Sequence, residues 1–136
     1  MRTRRVEFSV SLELRAGVSP SEDPEKVQKA MLNVIGVKGE AQVVRDTDSI
    51  VIISKSRKSL ERMRDQLRDR RVRGAARRLI LARSEGGSAT IMLNRQAAFE
   101  GVIALCDNEV ESPLGPIYLR LESDDIEGLT EWLTAY

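Results

Sequence analysis

The sequence predicts an α+β fold, a single two-layer domain over residues 1–136 with a largely antiparallel or mixed sheet of about five or six strands and about four or five packed helices. Three observations point there. Apolar and polar residues alternate strictly at the start of the chain, the period of a strand with one buried face. Apolar residues at helical spacing follow directly. The later strands come in local hairpins rather than alternating one by one with helices, which separates α+β from a doubly wound parallel sheet. At 136 residues, 41% hydrophobic and 32% charged, the chain is long enough to bury one core and too short for two comfortable ones.

In the first strand Val6, Phe8, Val10, Leu12 and Leu14 alternate with Glu7, Ser9, Ser11 and Glu13, and residues 15–21 read as a connection. Asp23 is the expected cap of a helix that begins with Pro24, buries Val27, Ala30, Met31, Val34 and Ile35, and stops at Gly36. Strands over 41–45 and 50–54 flank a polar turn at Asp46, Thr47 and Asp48. Ser56 or Ser59 caps a second helix with Leu60, Met63 and Leu67 inward. The helical phase is lost near Val72 and resumes after Gly74 with Ala75, Ala76, Leu79 and Ile80, which predicts two helices or one bent helix.

Residues 84–88 form a turn ahead of a short strand over 89–93, and Asn94 caps a helical turn over 95–98. Strands over 102–106 and 117–121 are joined by a loop that Ser112, Pro113, Leu114, Gly115 and Pro116 make stiff. A final helix, capped by Asp124 with Glu127 completing a capping box, presents Ile126, Leu129, Trp132 and Leu133.

Histidine is absent and Cys106 is the lone cysteine, which removes the usual general base, a structural zinc site and an intrachain disulfide. Cys106 sits in an apolar run and reads as a small core residue. The carboxylates of the last third show no metal-loop or acid/base spacing, and there is no Walker-type loop, GxSxG or GxGxxG, so no catalytic residue, metal or cofactor is expected and the chain does not read as an enzyme. With no apolar stretch long enough for a signal peptide or membrane span, the expected location is cytoplasmic, away from membranes.

The net charge of +1 conceals a partition: residues 55–83 hold twelve basic and three acidic side chains, whereas residues 84–136 hold two basic and ten acidic. A basic segment rich in arginine attracts phosphate, because guanidinium groups chelate phosphate oxygens and binding releases counterions. Arg64, Arg68 and Arg71, at i, i+4 and i+7, are expected to form one ridge, with Arg62 beside it and Arg73, Arg77 and Arg78 continuing it. Glu61 and Asp65 lie three residues before Arg64 and Arg68, so ion pairs along a solvated helix face account for part of the ridge. Asn94, Arg95 and Gln96 place hydrogen-bonding side chains at a strand-to-helix junction, where they either serve an anion or merely cap a turn. No aromatic residue falls between Phe8 and Phe99, so backbone and shape recognition of RNA is expected rather than stacking of splayed bases. A different reading joins the basic 55–83 segment of one copy to the acidic 84–136 segment of another, giving a homodimer or an adaptor.

Several segments together resemble a family of small uncharacterised archaeal proteins: residues 22–27 with Ala30 and Asn33, Ser59 to Glu61 with Ala75 to Arg77, Leu93 to Ala98 with Gly101, and Glu111 to Ile117. The resemblance spans nearly the whole chain. It implies an α+β architecture, a fold similar to a large-subunit ribosomal protein and, by that analogy, RNA binding without any established catalytic residue. The surface it implies for testing is Asn94, Arg95 and Gln96.

Overall fold

A computed structural model of the chain describes residues 8–36, 40–112 and 114–135. Seven strands and five α-helices follow one another among the described residues: β1 (Ser11–Gly17), α1 (Pro24–Ile35), β2 (Ala41–Arg45), β3 (Ser49–Ser54), α2 (Glu61–Asp69), α3 (Arg73–Ala82), β4 (Ser84–Glu85), β5 (Ser88–Leu93), α4 (Arg95–Phe99), β6 (Leu105–Cys106), β7 (Ile117–Glu122) and α5 (Ile126–Leu133). All strand pairs are antiparallel, in the order β2-β3-β1-β7-β5, with β4 and β6 pairing β5 along its far side. The sheet is therefore antiparallel, with seven strands, two of them only two residues long.

The register explains the two layers. Leu14 lies opposite both Ile52 and Leu119, and Leu119 opposite Ile91, so the alternate residues of four strands form one continuous apolar face. All four are fully buried beneath the helices, and truncating any of them to alanine costs about 2–5 kcal/mol. The other face is mixed: Glu13 lies between Ile53 and Arg120, and Arg15 between Val51 and Tyr118. Its two arginines stand beside glutamates of their own strands, Arg15 3.2 Å from Glu13 and Arg120 3.5 Å from Glu122. The surplus of positive charge thus belongs to the helical layer.

Local chemistry sets the boundaries. Asp23 accepts from the backbone N–H of Glu25 at 3.0 Å, proline occupies the first turn of α1, and Gly36 closes the helix at φ 63°, where a residue with a Cβ would be strained. Ser56 caps a 3-10 turn over Arg57–Leu60 that feeds α2. Three expectations need correction. Residues 1–7, including Val6 and Glu7, lie outside the described residues; the first strand runs to Gly17, because Arg15, Ala16 and Gly17 continue the ladder with β3, and Ala16 is buried. The break between the two central helices falls near Val72, as expected, with Arg71 at φ 57°, and Gly74 lies in the first turn of α3. The backbone N–H of Val72 reaches back to the carbonyl of Leu67, a closing bond that needs a left-handed residue between them.

The strand expected over 102–106 shrinks to Leu105–Cys106, since Val102 donates to the Ala97 carbonyl and Ile103 is held by side chains of α2. Last, α5 is capped by Asp125, which accepts from Gly128 at 3.0 Å, while Asp124 accepts from the backbone of Ser9 at 2.8 Å and ties the chain ahead of β1 to the end of β7.

Candidate nucleic-acid interface

The helices α2 and α3 are amphipathic, with Met63 and Leu67 of the first and Ala76 and Ile80 of the second buried in the core, so most of their arginines are pushed to the rim and the outer surface. Arg62, Arg68, Arg71, Arg77 and Arg78 are exposed; Arg64 and Arg73 are half-buried. Arg68 contacts Asp65 at 3.1 Å and Asp69 at 3.9 Å, and Arg77 reaches Glu131 of α5 at 4.0 Å. These pairs are solvent-exposed, with the Arg68 and Arg77 side chains 42% and 49% accessible, so each contributes little to stability and opens readily to another anion.

The expected ridge of Arg64, Arg68 and Arg71 does not form as one line. Arg71 stands past the end of α2, and Arg64 turns inward, donating from Nε to the carbonyl of Trp132 at 2.9 Å with its guanidinium 5.3 Å from the indole centroid. Arg57 lies 4.2 Å from the ring centroid of Phe8 and 5.4 Å from that of Trp132, and the two rings are 6.1 Å apart. Aromatic residues from both ends of the sequence are therefore brought to the basic segment, where cation–π contacts join them to the chain's own arginines.

A second set of α2 side chains clamps the segment after α4. Gln66 accepts from Ile103 N–H at 2.7 Å and donates to the Gly101 carbonyl at 2.8 Å, Arg70 donates to the Ile103 carbonyl at 2.9 Å, and Arg62 reaches Gly101 at 3.4 Å. At the end of α3, Arg83 donates to the Asp107 carbonyl at 3.0 Å. Residues Gln66, Arg70 and Arg83 were not singled out by sequence reasoning; the spacing of Arg62, Gln66 and Arg70 at i, i+4 and i+8 was the signal present.

The Asn94, Arg95 and Gln96 group divides. Only Gln96 is exposed. Asn94 accepts from Ala97 N–H at 2.9 Å, the cap of a five-residue helix, and donates to the Glu111 carbonyl at 3.1 Å. Arg95 is buried at 1% exposure, which removes it from direct contact with a ligand. Its Nη1 donates to both oxygens of Glu22, at 2.8 and 3.0 Å, and to the Gly17 carbonyl at 2.7 Å. Its backbone N–H donates to Ser112 Oγ at 3.1 Å, and Ser112 Oγ in turn donates to Gly115. The segments that carry the family resemblance thus interlock: the 17–22 loop, α4 and the 112–116 loop meet around one guanidinium, and Asn33 of α1 donates to Ala98 of α4 at 2.9 Å. Burial raises the Glu22 carboxyl, but hydrogen bonds from Ser19 and Arg95 and the positive charge of Arg95 outweigh it, so Glu22 titrates below its ordinary value.

Among the described residues, no group of three histidine, cysteine or carboxylate side chains is placed to hold a metal ion, and no helix is long and apolar enough to cross a membrane. A family model described as RNA binding matches residues 11–122, from the start of β1 to the end of β7, and takes in both arginine-bearing helices. The chain belongs to this RNA-binding family. It is 38% identical over 118 residues to a UPF0201 protein of Sulfurisphaera tokodaii, covering 86% of this chain and 81% of the relative. It is 38% identical over 129 residues to a UPF0201 protein of Thermococcus kodakarensis, covering 93% and 91%. A crystal structure of an uncharacterized UPF0201 protein superposes with a TM-score of 0.69 at 28% identity, covering 82% of this chain and 81% of that one. The UPF0201 protein of Methanococcus jannaschii shares the fold, with a TM-score of 0.72 at 22% identity over 92% of this chain and 99% of that one.

Proposed function

We propose that the protein binds structured RNA through its backbone phosphates, using the exposed arginines of the α2–α3 layer. The observation that carries this reading is the coincidence of the RNA-binding family match with a helical surface where Arg62, Arg68, Arg71, Arg77 and Arg78 are exposed on adjoining elements. Guanidinium forks engage phosphate oxygens in pairs and displace condensed counterions. The aromatic faces of Phe8 and Trp132 have arginines of the chain itself stacked against them, which favours the phosphate backbone over base stacking as the main source of affinity. Arg64 and Arg95 act inside the fold, and Asn94 shapes α4; within their group Gln96 alone is positioned for a polar contact. No catalytic role is assigned to any residue.

The experiment is a fluorescence-anisotropy titration with a structured RNA and a matched single strand at low and moderate salt. Tight binding that favours the structured RNA and weakens steeply with salt is expected. Changing Arg68, Arg71 and Arg78 to alanine lowers the salt slope by about 0.7 to 0.9 for each phosphate that the protein no longer neutralises. An unchanged affinity and slope would remove these arginines from the interface.

Association of two copies is a second reading, favoured by a different feature from the charge partition. The basic and acidic segments already meet within one chain, at Arg77 with Glu131 and Arg83 with Asp107. The edge strand β2, however, exposes adjacent valines, Val43 at 37% and Val44 at 55%, beside backbone groups that no neighbouring strand among the described residues engages. Sedimentation at micromolar concentration tests this: dimers that Val44→Lys dissociates would support it, and a monomer at all concentrations would end it.

A further inference from the structure

Between α3 and the segment entering β6 lies an apolar groove of about 250 Å³. Val72, Ala75 and Leu79 form one wall, Ile103 and Leu105 the other, and Arg70 and Asp107 stand at the two ends. Arg70, just before α3, donates to the carbonyl of Ile103, and Arg83, its C-cap, donates to that of Asp107, so two guanidinium groups strap the walls together and hold the groove open between them.

We propose that this groove receives one unpaired base of the bound RNA, with the adjoining phosphate held at its Arg70 end. The inference rests on the RNA reading above and names the element of RNA structure that the surface selects. Size is the first reason: pockets for drug-sized ligands span roughly 300–1,000 Å³, and this one is smaller, suited to a single planar ring system rather than an extended ligand. Lining is the second. Aliphatic walls accept the π-face of a base, while the rim supplies the cationic donors that its phosphate requires; a guanidinium carries five N–H groups, and Arg70 directs one of them at Ile103.

Position is the third reason. The groove is walled by the helix that carries the exposed Arg78 and by the turn that carries the exposed Arg71, next to Val72, so a backbone held by those side chains passes its mouth, while Arg77 faces α5 on the far side of α3. At the opposite end Asp107, Glu109 and Glu111 form an exposed acidic turn that repels phosphate, which orients the nucleotide with its phosphate toward Arg70 and Arg71. Extruding a base from a duplex costs a few kcal/mol in unstacking and unpairing, so a nucleotide already unpaired in a bulge or loop is the one selected.

The test uses the whole protein and two RNA stems that differ by one bulged 2-aminopurine. Anisotropy reads affinity, and 2-aminopurine emission reads the surroundings of the base. The bulged stem is expected to bind about tenfold tighter than the fully paired one, with a change in emission on binding. Ala75→Trp, which fills the groove from an exposed position, should bring the bulged stem down to the affinity of the paired stem and leave the paired stem unaffected. Equal affinity for the two stems, unchanged emission on binding, or a bulge preference that survives Ala75→Trp overturns the groove assignment while the backbone reading stands. Failure of both stems to bind overturns the backbone reading, and this inference with it. The emission measurement needs only the unaltered protein, so the outcome does not depend on the variant folding.

Discussion

Arg95 lies 2.8 Å from Glu22 across 73 residues of sequence, with side chains 1% and 8% exposed, and the pair joins three connections on one edge of the fold. A buried ion pair offsets a large desolvation cost only while both members are present. Removing one, as in Arg95→Met or Glu22→Leu, is expected to destabilise the protein by about 3–5 kcal/mol, because the remaining charge is stranded. The double variant should recover much of that loss, since two apolar side chains of similar volume need no compensation. Urea unfolding of the four proteins checks this; additive single losses would show that the two residues act independently.

The same pair sets a pH dependence. Folding lowers the Glu22 carboxyl below its ordinary value, so the unfolded chain binds this proton more readily than the folded one. The stabilisation is therefore complete above the ordinary glutamate range, about 4.3, and is lost as pH falls from there through the lowered value. Glu22→Gln, which keeps the shape without the titrating group, should flatten that part of the stability curve. A curve of unchanged steepness below pH 5 would assign the acid sensitivity to other carboxylates.

Much of the fold was legible in the sequence because local rules and tertiary packing agreed. The alternation of Val10, Leu12 and Leu14, the Asp23 cap, the Asp46 to Asp48 turn and the paired central helices are each decided by residues close to one another. The site was less legible, because the partners of its arginines are distant. Charge alone marks Arg64, Arg68 and Arg95 alike as surface residues, yet one donates to Trp132, one stays in solvent and one is sealed against Glu22. The strand expected over 102–106 is shorter for a similar reason: Gln66, 37 residues away, supplies the hydrogen bond that a strand partner would have made to Ile103, and only Leu105 and Cys106 pair. Asp124 is the expected cap of α5, but it accepts from Ser9, distant in sequence, and Asp125 accepts from Gly128 in its place.

Cys106 provides a readout of local opening. It is buried on β6, and burial, followed by the charges of Glu111 and Asp107, pushes its thiol above the ordinary value. Thiolate is the reactive form, so the native protein should react with an aromatic disulfide reagent at pH 8 far more slowly than the urea-unfolded chain. Adding saturating bulged RNA should slow the reaction further, because a base in the adjoining groove holds Leu105 and its neighbours in place. A native rate equal to the unfolded rate would mean that the segment opens freely.

Arg71 is the residue where stability and binding are expected to part. It occupies the left-handed region at φ 57°, a conformation that costs a residue with a Cβ roughly 1 kcal/mol relative to glycine. Its side chain is exposed at the junction of the two arginine-bearing helices. Arg71→Gly should therefore raise unfolding stability by up to about 1 kcal/mol, less the greater entropy that glycine gives the unfolded chain. The same change removes one cation from the proposed interface and should weaken RNA binding with a shallower salt dependence. Arg71→Ala separates the two effects, since it loses the charge and retains the strain. If glycine stabilises while both variants weaken binding equally, the strained backbone is maintained for the charge it carries; if neither changes affinity, the left-handed turn only closes α2 and the phosphate contacts lie farther along α3.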